Sequence, residues 1–390
     1  MNRFGLFLFI DALGWEVLRR HPGFLADIAP NRRPLETILG YSSACDPSII
    51  SGLTPSQHHL WSSYYYLRDG TSPFSWTRWL GLLPESVTER ARVRHILSKL
   101  VKKVCGIRGY FQLYNVPFRL LPMFHYAEWK RIWEPGGLPQ GTSIFDLLLA
   151  EGKKWHVHDS NRDDVGKLED LHAALANPEL SMAYVSLGRL DALMHAEGTQ
   201  SPKIADLLDW YDQEIRKVLA RACQTHGDVH LYVFTDHGMH DIHKGYNLQK
   251  DIHSLGLRFG HDYVAFYDST MGRFWPLTDV AHEKLQTLLA THPEGRLLPE
   301  AELRRLGVFF PDGLYGDLIF LTHPGTQIAP SFMGRKAIHG MHGFHPDEAD
   351  SKAMICSNQP LPAGLSRIEQ IFGLMCNCTN ITAPPHRAVP

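Results

Sequence analysis

The chain has 390 residues, 44% hydrophobic and 21% charged, enough for a large core in one domain with insertions or in two domains. A net charge of −2 excludes a protein built on bulk attraction to nucleic acid or to membranes, so no nucleic-acid partner is expected. The 23 histidines favour metal or acid–base chemistry, and six cysteines without a CxxC pair suit a reducing compartment better than a disulfide framework.

In chain order, 5–10 ("GLFLFI") is a short apolar run that predicts a buried parallel strand ending at Asp11, where open α/β sheets hold their ligands. The run is too short for a signal-peptide core or a membrane span, so a cytoplasmic protein is expected. A turn crowded with hydroxyls follows at 40–61, "GYSSACDPSIISGLTPSQHHLW". Residues 66–140 depart from this pattern, being rich in aromatics, Pro and Gly. Within them, 90–119 carries eight Arg/Lys and no acid, and Val93, Ile96, Leu97, Leu100 and Val104 recur at helical spacing. An amphipathic basic helix is therefore expected over 90–104, either packed on the core with a solvated face or in peripheral contact with an anionic membrane or polyanion. The strand pattern returns at 182–187, followed by Asp191-x-x-x-His195, and at 229–234, followed by Asp236-His237, with a periodic helix over 202–224 between them. After a second interruption at 255–335, the Gly-rich "HGMHGF" (339–344) supplies His342, with His339 as its rival.

This grammar predicts an α/β fold, a doubly wound and mostly parallel sheet flanked by helices with two cap insertions. The expected division is core 1–65, cap 66–140, core 141–254, cap 255–335 and core 336–390. Asp191 and His195 lie one helical turn apart and can face one ion. With Asp11, Asp236, His237 and His342 they make three carboxylates and three imidazoles. That set suits two borderline divalent ions, Zn²⁺ first and Mn²⁺ as alternative, better than Ca²⁺.

The stretches "LFIDALGW" (7–14), "SGLTPSQHH" (51–59), "DALMHAEG" (191–198), "FTDHGMHD" (234–241) and "GMHGFHPD" (340–347) together resemble the alkaline phosphatase superfamily, in its nucleotide pyrophosphatase/phosphodiesterase-like branch. The resemblance implies an alkaline phosphatase-like core, one ion held by Asp11, Asp236 and His237, and a second held by Asp191, His195 and His342. It also places the nucleophile ten residues before Gly52, at Ser42, with Ser43 one residue away as runner-up. Ser48 and Ser51 suit helix-cap or helix-interior roles. Ala44-Cys45-Asp46 lacks the Pro and Arg of a sulfatase signature, and it replaces the Pro-Asn-His that nucleotide-cleaving relatives carry.

The expected activity is two-metal hydrolysis of phosphodiester or pyrophosphate bonds through a covalent phosphoserine. Alternatives are a phosphomonoesterase or a phosphotransferase or mutase, and a non-catalytic binding protein is a further reading. The expected partner is a small-molecule, lipid-linked or glycan-linked phosphate ester, with the aromatics of the first cap stacking on its leaving group or simply packing.

Overall fold

Apolar strand runs alternating with amphipathic helices build a six-stranded, mainly parallel sheet, seen in a computed structural model that describes residues 3–384 except 69, 83–87 and 89. The chain lays down β1 (Arg3–Ile10), β2 (Asn31–Leu35), β3 (Lys154–Val157), β4 (Leu180–Leu187) and β5 (Asp228–Phe234). It then makes a separate antiparallel sheet from β6 (Tyr263–Tyr267), β7 (Met271–Pro276), β8 (Gly295–Leu297) and β9 (Leu318–Thr322), and returns to the first with β10 (Ala353–Ser357). The spatial order of the main sheet is β2-β10-β5-β1-β4-β3. β5, β1, β4 and β3 run parallel, and β10 is antiparallel to both its neighbours.

Burial on both faces explains why β1 is a continuous apolar run rather than an alternating one. Phe7 and Phe9 pack with Ala44, Ile49 and Ile50 of helix α1 (Ser42–Ser51) on one side. Leu6, Leu8 and Ile10 pack on the other against Leu208, Tyr211 and Ile215. Those three belong to the 23-residue helix over Lys203–Thr225, whose buried positions recur at three- and four-residue spacing.

The two interruptions share one apolar cluster. Tyr64, Phe74, Phe111, Phe124 and Tyr126 pack with Phe266, Trp275 and Phe332. Most aromatics of the first interruption are therefore packing residues. A buried ion pair pins this body together: Arg273 Nε donates to Asp268 Oδ2 at 2.7 Å, while its other nitrogens donate to Ser62 Oγ and the Tyr64 carbonyl at 2.9 Å. Within it lies helix α2 (Ala91–Cys105). Among the described residues no helix is long and apolar enough to cross a membrane.

Candidate metal centre

β5, β1 and β4 are adjacent and parallel, so whatever follows their carboxyl ends converges. Asp11 follows β1 directly, and its N–H donates to the Leu187 carbonyl at the end of β4. Beyond β4 the chain enters helix α3 (Arg189–Glu197), which carries Asp191 in its first turn and His195 in its last. Asp164, from the preceding helix, accepts from the N–H groups of Gly188 and Arg189 at 3.0 Å, capping α3 from outside and fixing its direction. Asp236 and His237 follow β5, and Thr37 Oγ1 donates to the Asp236 carbonyl at 2.6 Å.

His342 arrives from 105 residues further on. Gly340–Met341 pairs antiparallel with His240–Asp241, delivering the loop to the sheet end. Gly343 follows with φ 88°, and a Cβ there would meet the Tyr41 ring at 2.8 Å and Thr270 Oγ1 at 2.9 Å. Only glycine fits that approach.

The six residues singled out as ligands come together in two adjoining groups. Asp191, His195 and His342 place ligand atoms within 4.8 Å of one another, and so do Asp11, Asp191 and His237. Asp191 belongs to both. Its Oδ1 lies 3.2 Å from His195 Nε2 and 3.8 Å from His342 Nε2, while His237 Nε2 lies 3.1 Å from Asp236 Oδ2 and 3.6 Å from Asp11 Oδ1. The partition implied by the resemblance put Asp191 with His195 and His342 alone; in the structure it also reaches the other group, while Asp236 touches that group through His237.

The donor chemistry fits cations. Carbonyls only accept, so Nδ1–H of His195 donates to the Gly340 carbonyl at 2.8 Å and Nδ1–H of His237 to the Gly238 carbonyl at 2.9 Å. Each ring thereby turns Nε2 toward the carboxylates, the arrangement in which imidazole ligates. Asp11 Oδ1, Asp191 Oδ1, Asp236 Oδ2 and His342 Nδ1 are buried with no hydrogen-bond partner, an expensive state for polar atoms unless something else satisfies them.

Electrostatics point the same way. Burial, then the charges of Asp191, Asp236 and Asp46, push the Asp11 carboxyl well up. Burial opposes protonation of His195 and His237, yet the carboxylates of Asp191 and Asp236 respectively outweigh it and raise both. Burial raises the Asp236 carboxyl in turn, but His237 outweighs that and holds it low. His342 goes the other way, pushed well below its usual range by burial and by the three neighbouring histidines, and stays the neutral ligand form. Its ring stacks on His237 with centroids 3.7 Å apart.

Of the candidate hydroxyls, Ser42 faces this cluster: its Oγ lies 3.2 Å from His237 Nε2. Ser42 opens α1, after Tyr41 at the N-cap. Ser48 is turned inward to the Ala44 carbonyl (3.0 Å) and the buried His58 (2.9 Å), and Ser51 donates to the Pro47 carbonyl at 2.6 Å. His339 is exposed, with its N–H donating to the His195 carbonyl, while His342 is buried among the other candidate ligands.

Four contributors, Asp46, Tyr41, Thr270 and Asp164, are not marked as such by the sequence. Asp46, four residues after Ser42, adds a fourth carboxylate with a buried unpaired oxygen; its i, i+4 spacing from Ser42 was the available signal. Cys45 beside it turns away, toward Thr37 Oγ1 at 3.7 Å. Tyr41 and Thr270 tie the start of α1 to the His342 loop: their hydroxyls are 2.9 Å apart, and Thr270 Oγ1 donates to the Gly343 carbonyl at 2.9 Å. Asp164 and Thr270 come from elements remote in sequence, and no local pattern marks them.

A family model described as type I phosphodiesterase / nucleotide pyrophosphatase matches residues 6–345. No curated protein sequence matches the chain. Among solved structures, murine ectonucleotide pyrophosphatase/phosphodiesterase 5 is similar with a TM-score of 0.70 at 13% identity, covering 100% of this chain and 98% of that one. An inactive variant of the murine protein in complex with AMP gives the same values. The human counterpart has a TM-score of 0.69 at 12% identity, covering 100% and 97%. The shared architecture is the mainly parallel sheet flanked by helices.

Proposed function

Because the chain belongs to the type I phosphodiesterase / nucleotide pyrophosphatase family and is thereby a phosphodiester hydrolase, we propose that it works with two divalent cations and with Ser42 as nucleophile. The observation that carries this reading is the set of unpaired, buried carboxylate oxygens of Asp11, Asp191 and Asp236, facing imidazole Nε2 atoms beside Ser42 Oγ. Asp191, His195 and His342 would hold one ion, and Asp11, Asp236 and His237 the other, with Asp191 at the boundary. When bound, such a pair supplies Lewis acidity and positive charge to a phosphoryl group. Three imidazoles beside three carboxylates favour Zn²⁺, then Mn²⁺.

The chain's own contribution is placement. Ser42 sits at the first turn of α1, where unpaired backbone N–H groups and the helix dipole favour an anionic phosphoryl group. Oγ bonds to phosphorus as the ester oxygen leaves, and the proton from Ser42 ends on that leaving oxygen. Water then cleaves the phosphoserine, restoring Oγ–H and releasing a phosphate monoester. The murine relative's complex with AMP favours a nucleotidyl group on that phosphorus.

The test is turnover of an aryl phosphodiester, an aryl phosphomonoester and an aryl sulfate by metal-titrated protein. The expected result is preference for the diester, activity restored by Zn²⁺ or Mn²⁺, and a phosphorylated Ser42 trapped by rapid quench. Diester turnover by the Ser42→Ala variant at the parent rate would remove the serine from the chemistry.

A further inference from the structure

Part of the apolar stripe expected on α2 turns outward, although Leu97 packs against the core. Ile96, Leu100 and Val104 are 65%, 45% and 57% exposed. The buried face carries Arg94, Ser98 and Val101. The reason lies in the loop beneath. Arg94 donates to the carbonyls of Leu113, Tyr114 and Val116, and Ser98 Oγ accepts from the Leu113 N–H, so polar side chains satisfy backbone groups that would otherwise be buried unpaired. The helix thus shows Ile96, Leu100 and Val104 to the outside while Val101 and Leu97 pack inward.

A second ridge lies beside it. The 3₁₀-helix Ser75–Leu82 has three residues per turn, which aligns Trp76, Trp79 and Leu82 on one line. Trp79 is 66% and Leu82 77% exposed, while Trp76 lies against Cys105 at the end of α2. Of the ten large apolar side chains most exposed among the described residues, six fall between 79 and 110, a clustering that soluble surfaces rarely show. Arg78, Arg92, Lys99 and Lys103 are carried on these two helices, and they and Arg119 are exposed. Arg119 lies beside Gly81, between Trp79 and Leu82 in sequence. Among the described residues, Arg92, Lys99, Lys103 and Arg119 form no ion pair.

We propose that this face, the Ile96–Leu100–Val104 stripe with Trp79 and Leu82 inside a basic collar, docks peripherally on an anionic lipid surface. Tryptophan and aliphatic side chains enter the headgroup boundary and the cations meet lipid phosphates, the pairing that interfacial amphipathic helices use. A neutral protein partner would leave the collar unmatched.

The experiment is sedimentation of the whole protein with vesicles of phosphatidylcholine alone or mixed with phosphatidylserine. The expected result is binding to the mixed vesicles, weakened by salt, and little binding to phosphatidylcholine alone. Ile96→Glu with Leu100→Glu should lower partitioning at least tenfold, and Lys99→Gln or Lys103→Gln about fivefold each. Turnover of a soluble aryl phosphodiester should be unchanged in all of them, since none contacts the metal centre. Equal binding to both vesicle types, or no loss in the double variant, overturns the proposal. So does a dimer in dilute solution that Leu100→Glu dissolves, which would assign the face to a second copy of the chain.

Discussion

Replacing Asp11 by Asn should move stability in opposite directions with and without cations. In the metal-free protein Asp11 is disfavoured as a carboxylate by burial and by Asp191, Asp236 and Asp46, so an uncharged isostere should raise the melting temperature. In protein loaded at the proposed centre the same change would remove a ligand. An ion held at a hundred times its dissociation constant contributes about 2.7 kcal/mol, and two contribute about 5.4. Unfolding 390 residues carries an entropy of about 0.8 kcal/mol per kelvin. Chelation should therefore lower the parent's melting temperature by about 6–7 °C, and that of Asp11→Asn by about 3 °C. Differential scanning calorimetry with chelator, then with Zn²⁺ returned and metal content measured by atomic absorption, reads both effects. Identical metal-free melting temperatures together with an unchanged chelation shift would refute the carboxylate cluster as a cation site.

Other outcomes follow from the same geometry. Ser42→Ala should lower kcat roughly 10³-fold or more with an unchanged circular dichroism spectrum, and Ser43→Ala should stay within a few-fold, as read from steady-state kinetics. Acid should destabilise the fold through its buried histidines. Burial pushes His58 and His158 down to about 3 and His240 to about 4. Between those values and about 6.5 the unfolded chain binds more protons than the native one, so this stability is complete above pH 6.5 and lost as pH falls. His58 alone accounts for roughly 4–5 kcal/mol by pH 3. A melting temperature that is flat between pH 7 and 4.5 would contradict this. Arg273→Met strands Asp268 in the interior and should cost about 3–5 kcal/mol in urea unfolding, partly recovered by adding Asp268→Asn.

The sheet and the convergence of these carboxylates and imidazoles were legible because both are local signals. Apolar runs mark buried strands, and polar residues directly after them must sit at strand ends, where Asp11, Asp236 and His237 are found. The four-residue spacing of Asp191 and His195 survives any detail of packing. What stayed hidden depends on partners distant in sequence. The orientation of α2 is decided by carbonyls at 113–116, which hydrophobic periodicity does not register. The aromatics of the first interruption have the composition of a binding surface, yet their neighbours are Phe266 and Trp275, more than a hundred residues away. Asp46 looked like a departure from a motif, and only the direction of α1 turns it into part of the site.

The position of β10 has a consequence for how the molecule is made. It lies between β2 and β5, pairing Ile355 with Phe234 on one side and Arg33 on the other. At 5–20 residues per second, residues 31–35 leave the ribosome roughly 15–65 s before the strand that joins them to the sheet. During that interval β5 presents an open edge, the kind of surface that invites pairing with other chains. Synthesis of this protein should depend on chaperones that shield a nascent β-edge, and a chain stopped short of residue 353 should aggregate even though all six candidate ligands are already present.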